Sequence, residues 1–110
     1  MKQYVIDQLR ETDYEKILEF LKANADPSEF GDVFWAKLPA GLYSDAQKEH
    51  VECQPFCFAI NLSPGKVEFE LLIRSRQVLR CKCIGYAGKN QRDYIIDYAD
   101  RMLGELMIKL

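Results

Sequence analysis

The residues with the most chemistry to offer are four cysteines and a single histidine, ordered His50-x-x-Cys53-x-x-x-Cys57 and Cys81-x-Cys83. Thiolate and imidazole are the donors that hold zinc tetrahedrally, so a metal site is one reading. The spacing lacks the paired Cys-x-x-Cys knuckles of a zinc ribbon. A second chemistry is nucleophilic, because Cys53 stands three residues from His50 and just ahead of Pro55. Glu49 and Glu52 flank it, however, and only the imidazole would lower its pKa. A third chemistry is anion binding. Gly85-Tyr86-Ala87-Gly88 leads into a helix start, where unpaired backbone N–H groups carry partial positive charge, and Lys89 and Arg92 follow. Gly85, Gly88, Lys89 and Arg92 are therefore candidate ligand-binding residues, with no Walker lysine and no Gly-x-Gly-x-x-Gly beside them.

The elements that must position these groups are legible in part. Tyr4 to Leu9 reads as a short edge strand. Thr12 with Glu15 forms a Thr-x-x-Glu capping box, which predicts a helix from about Asp13 to Asn24 whose buried stripe is Tyr14, Ile17, Leu18 and Leu21. Between Ser28 and His50 the apolar residues keep no clean period. Val33 to Leu38 is a possible strand there, and Ser44 with Gln47 caps a helical turn from Asp45 to about Glu49. Phe56, Phe58, Ile60 and Leu62 then alternate with Cys57, Ala59 and Asn61, and Ser63-Pro64-Gly65-Lys66 turns the chain. Val67, Phe69, Leu71 and Ile73 alternate next, and a turn near Ser75 to Gln77 opens a third strand running to Tyr86. Asn90 with Asp93 is expected to cap a last helix that buries Ile95, Tyr98, Ala99, Met102 and Leu106. The fold class is α+β, with residues 1–110 as a single domain. It is an antiparallel three-strand meander, extendable to four or five strands, with the N- and C-terminal helices packed on one face.

Strand register decides what the cysteines mean. Closing the first hairpin at Pro64-Gly65 sets Leu62 against Val67, Ile60 against Phe69 and Phe58 against Leu71 on the core face. Closing the second around Arg76 sets Phe69 against Cys83, Leu71 against Cys81 and Ile73 against Leu79, and places Glu70 opposite Lys82. Cys81 and Cys83 then point inward and Cys57 outward, so these three are not expected to share one metal. Buried reduced thiols are expected instead, with Cys53 a loop thiol and His50 a surface histidine; these two are the residual metal candidates. No cofactor and no catalytic residue follow from the pattern. Whether the chain is an enzyme stays open, a binding role being the stronger reading.

The net charge of −2 gives the whole chain no pull toward nucleic acid or an anionic membrane, yet the charge is uneven. Residues 7–32 are acidic, whereas Arg74, Arg76, Arg80, Lys82, Lys89 and Arg92 make the stretch before Asp93 basic. The outer sheet face mixes Leu72, Val78, Ile84 and Tyr86 with Arg74, Arg76, Arg80 and Lys82. These eight form the expected interaction surface, covered within the chain, by a second copy in a homodimer, or by a protein partner. No apolar run approaches the length of a membrane span, and Asp7 interrupts what would be the core of a signal peptide, so a cytoplasmic location is expected.

Helix, three antiparallel strands and helix is the element order of the double-stranded RNA-binding domain. The last helix opens Asn90-Gln91-Arg92-Asp93, without the lysine cluster that family sets on phosphates. The stretch from Tyr4-Val5-Ile6-Asp7 to Thr12-Asp13-Tyr14 resembles the opening strand and helix of GNAT acetyltransferases. That resemblance implies an acyl-CoA pyrophosphate held at the turn from Gly85 to Asn90, where the sequence departs from the family's Arg/Gln-x-x-Gly-x-Gly/Ala loop. The functional expectation is a small binding or assembly module acting through its sheet surface or basic hairpin. An anion- or acyl-CoA-binding enzyme using the Gly85–Arg92 turn, and a zinc-binding protein, are the alternatives.

Overall fold

The computed structural model describes residues 2–78 and 83–109. Its elements, in chain order, are β1 (Gln3–Ile6), α1 (Glu11–Asn24), β2 (Asp26–Pro27), β3 (Val33–Lys37), α2 (Asp45–Glu49), β4 (Phe56–Ser63), β5 (Lys66–Glu70), β6 (Leu72–Ser75), β7 (Gly85–Tyr86) and α3 (Lys89–Glu105). Short 3-10 turns at Ala40–Leu42 and Val51–Cys53 flank α2. The fold is α+β around a sheet whose strand pairs are all antiparallel among the described residues, and β4 lies at its centre. No described helix is long and apolar enough to cross a membrane.

Alternation of large apolar and smaller residues makes β4 the central strand. Phe56, Phe58, Ile60 and Leu62 are fully or almost fully buried. The first hairpin forms in the register read from the sequence, with Ile60 opposite Phe69 and Leu62 opposite Val67. Gly65, at φ +92°, takes the left-handed conformation that this tight turn requires. Tyr98 of α3 then packs edge-on against Phe58 and Phe69, at centroid distances of 5.7 and 6.3 Å, and Phe20 of α1 meets Tyr98 at 6.3 Å. These crossed rings join α3 to the inward face of β4 and β5, and α1 to α3.

The second hairpin departs from its expected register. From Ile60↔Phe69 to Phe56↔Ser75, β4 moves back four residues while its partner advances six, so two extra residues are absorbed around Leu71. The expected single strand is therefore split into β5 and β6. Phe69 faces Tyr4 of β1 instead of Cys83, because β1 has taken the outer edge of β5. Among the described residues the returning chain pairs only with β6, with Ile73 opposite Gly85 and Leu72 opposite Tyr86. The expected partners Leu79 and Cys81, and the expected Glu70–Lys82 pair, involve residues outside those described. Glu70 stands opposite Gln3 in register, and its carboxylate meets Arg74 at 3.4 Å and accepts from Asn61 at 3.1 Å.

Two helix starts also shift. The N-cap of α1 is Arg10, and Thr12 lies inside the helix. The carboxylate of Asp13, not that of Glu15, reaches back to the cap: it accepts from the Arg10 backbone N–H at 3.0 Å and from the guanidinium at 3.1 and 3.2 Å. α3 begins after Gly88 rather than at Asn90, because Gln91 Oε1 accepts the Gly88 N–H at 3.2 Å. The Ser44–Gln47 box on α2 forms as read, with both reciprocal bonds present. β3 likewise confirms a strand at Val33–Lys37.

Phe58→Ala removes the ring that both Tyr94 and Tyr98 pack against and should cost about 3–5 kcal/mol in urea unfolding. Phe30→Ala, at a site 73% exposed, should stay within about 0.5 kcal/mol. The Arg10 guanidinium, with its backbone N–H, holds the Asp13 carboxyl below its ordinary value. A depressed carboxyl contributes stability above its unfolded pKa of about 3.9, and loses it as pH falls through the folded value. Wild type should therefore lose more of its urea midpoint between neutral pH and about pH 3 than Asp13→Asn does; equal losses would detach this pair from acid stability.

Candidate metal centre

The local sequence aims two of the donors at one point. Ser44 and Gln47 start α2, and the helix closes at His50, whose N–H bonds Ala46 O at 3.2 Å. The chain tightens at once into the Val51–Cys53 turn, with Cys53 N donating to His50 O at 3.0 Å. At three residues per turn, side chains three apart fall on the same side, so His50 and Cys53 share a face. Cys83 arrives from the far end of the sequence, two residues before the β7 pairing with β6 fixes Gly85 against Ile73. The ligand atoms of His50, Cys53 and Cys83 all lie within 4.8 Å of one another. A tetrahedral zinc with Zn–S bonds of about 2.3 Å needs sulfurs about 3.8 Å apart, a separation that lies inside this limit, and three protein donors leave its fourth position open. Cys53 is 2% exposed and Cys83 6%, while His50 is half-buried.

The inward/outward argument from the sequence is thus corrected at Cys83, and burial goes further than it implied at Cys53 and Cys57. Cys83 sits in a turn ahead of β7 and meets His50 and Cys53 instead of lying opposite Phe69. Cys53 is a buried thiol, not an exposed loop residue. Cys57 does point to the other face of β4, but it is fully buried. It lies between Lys37 of β3 and Arg74 of β6 in register, on the face where the Arg76 guanidinium sits 6.0 Å from the Trp35 ring centroid and pairs with Asp26 at 3.0 Å. Burial pushes the Cys57 thiol above its ordinary value, with Arg76 and Lys37 opposing the rise and Asp26 adding to it. Cys81 lies outside the described residues. None of Cys53, Cys57 and Cys83 is in a disulfide.

The other candidates separate. Gly85, Gly88 and Lys89 border a cavity of about 730 Å³ between α2, β7 and the start of α3, whose wall Gln47 and Cys83 also form. Arg92 is exposed and does not border it, and the Lys89 ammonium is paired with Asp93 at 3.1 Å. Of the expected interaction surface, Arg74, Arg76 and Ile84 border a second cavity of about 450 Å³ with Trp35 and Phe30. Arg74 and Arg76 are tied to Glu70 and Asp26 within the chain. Leu72 pairs with Tyr86, which holds the Lys2 ammonium 5.3 Å above its ring, and Val78 packs on the core. Arg80 and Lys82 lie outside the described residues.

Sequence reading did not single out Ser75 and Gln91 around the metal candidates, and it took Gln47 only as a helix cap. The Ser75 hydroxyl donates to Cys53 O at 2.6 Å, and Gln47 Nε2 donates to Cys83 O at 3.4 Å. Their one readable signal was the Ser44–Gln47 box. The chain has no significant match among protein-family models, curated proteins or solved structures.

Cys57 gives a direct check on this arrangement. With its thiolate disfavoured and covered, it should react with iodoacetamide at about pH 8 at least roughly tenfold more slowly in the native chain than in the urea-unfolded chain, read by peptide mapping. Equal rates would mean that the Cys57 thiol is not buried as described.

Proposed function

We propose that this protein binds a zinc ion, or a metal of similar softness, through His50, Cys53 and Cys83. The observation that carries this reading is the convergence of one imidazole and two thiols, from segments far apart in sequence, within 4.8 Å in a largely buried setting. Thiolate donors favour zinc and copper(I) over magnesium and calcium, and zinc needs no redox partner. The metal's role in this reading is mechanical: it fastens the α2 segment to the chain entering β7. Binding to the folded state alone stabilises it by mass action, about 4 kcal/mol when free metal exceeds Kd a thousandfold.

Protein purified without chelator should carry about one zinc per chain by elemental analysis. Cobalt(II) added to the stripped protein should give a thiolate-to-cobalt charge-transfer band, weakened in Cys53→Ser and in Cys83→Ser. Chelator should lower the thermal midpoint of wild type and leave that of the double cysteine variant unchanged. A wild-type chain that retains no metal and gives no cobalt band would overturn the reading.

A further inference from the structure

Four polar or charged side chains are buried among the described residues: Asp13, Gln47, Ser75 and Gln91. A buried polar group costs free energy unless its hydrogen bonds are made, so where each one spends its bonds is informative. Asp13 serves the start of α1, far from the cysteines in the chain. The other three lead to the two cysteine donors.

Ser75 is saturated. Its hydroxyl donates to Cys53 O at 2.6 Å and accepts from the backbone N–H groups of Gln77 and Val78 at 3.2 and 3.0 Å, the full capacity of one donor and two lone pairs. Gln47 is held with equal economy. Its Oε1 accepts from Ser44 N and from Gln91 Nε2, both at 2.9 Å, which leaves Nε2 directed at Cys83 O. Gln91 completes the chain: Nε2 also donates to Leu42 O at 2.9 Å, and Oε1 accepts the Gly88 N–H. With its oxygen and amide so fixed, the Gln47 amide has one orientation. The backbone carbonyl of each cysteine is therefore held by a separate buried side chain.

We infer that Ser75 and Gln47, with Gln91 behind Gln47, are the positioning residues of the metal centre: they set the Cys53 and Cys83 backbones before the metal arrives. This rests on the metal reading and specifies it. Outer hydrogen-bond partners of metal ligands, when removed, weaken metal affinity by roughly 10- to 100-fold.

The test compares zinc affinity, by chelator competition, with the urea stability of the metal-free chain and with the cobalt(II) ligand-field spectrum. Ser75→Ala and Gln47→Glu should each weaken zinc binding by roughly 10- to 100-fold and shift the cobalt bands. The glutamate keeps the acceptors for Ser44 and Gln91, loses the donor to Cys83 O and adds a buried charge, whose cost the metal-free urea stability reads separately. Ser75→Thr keeps the hydroxyl and should restore affinity. Asp13→Asn, the remaining buried polar site, should lower metal-free stability and leave zinc affinity unchanged. If Ser75→Ala and Gln47→Glu bind zinc as wild type does, or weaken it no more than Asp13→Asn does, the two are ordinary core polar groups and the inference fails. A wild-type chain that takes up neither zinc nor cobalt overturns the metal reading itself, and this inference with it.

Discussion

The outer edge of the β5–β6 strand carries two different neighbours, and the rest of the arrangement depends on how they share it. Leu71 is the junction. Its N–H donates to Lys2 O at 3.1 Å, next to β1, and its carbonyl accepts from Ala87 N at 2.7 Å, just beyond β7. One residue thus closes the hydrogen bonding of two strands that meet end to end. The two extra residues absorbed here let β4 keep pairing on its own side while the opposite edge changes partner. With β1 occupying the edge beside Phe69, the chain entering β7 pairs only further along, and Cys83 is left to meet His50 and Cys53.

This explains which parts of the fold were legible in the sequence. The β4–β5 hairpin was readable because strict alternation and a Pro-Gly turn fix the register locally, and slipping by one residue would turn Phe58, Ile60 and Leu62 outward. α2 was readable because its two cap residues bond to each other. The β6–β7 register was not, because it depends on competition for an edge with a strand more than sixty residues upstream, which no local pattern encodes. The segment before α2 was obscure for a different reason. Phe34 and Ala36 of β3 face the core, while Val33 and Trp35 are half-buried on the other side, where Trp35 lies under Arg76. Both faces of β3 therefore carry apolar residues, and Phe30 is apolar yet exposed. The period was erased by burial on two faces.

The candidate site shows the same division. Donor types were plain from the sequence, and His50 with Cys53 was a readable pair. The third donor was assigned to the core because the pleat was extended through a residue that is not in a strand. The bracing side chains were harder still to see: a serine after a strand and a glutamine in the first turn of a helix are common residues whose ordinary use is a turn or a cap. Ser75 and Gln47 do perform those ordinary uses, and each has one further bond to give.

Cys57 illustrates the opposite case, a residue whose type promised more than its place requires. It occupies the central strand of the sheet, with Lys37 of β3 and Arg74 of β6 beside it in register. What that position asks of a side chain is bulk: something small and apolar enough to sit fully buried between two neighbouring strands. The thiol enters there as volume, apart from the group that His50, Cys53 and Cys83 form.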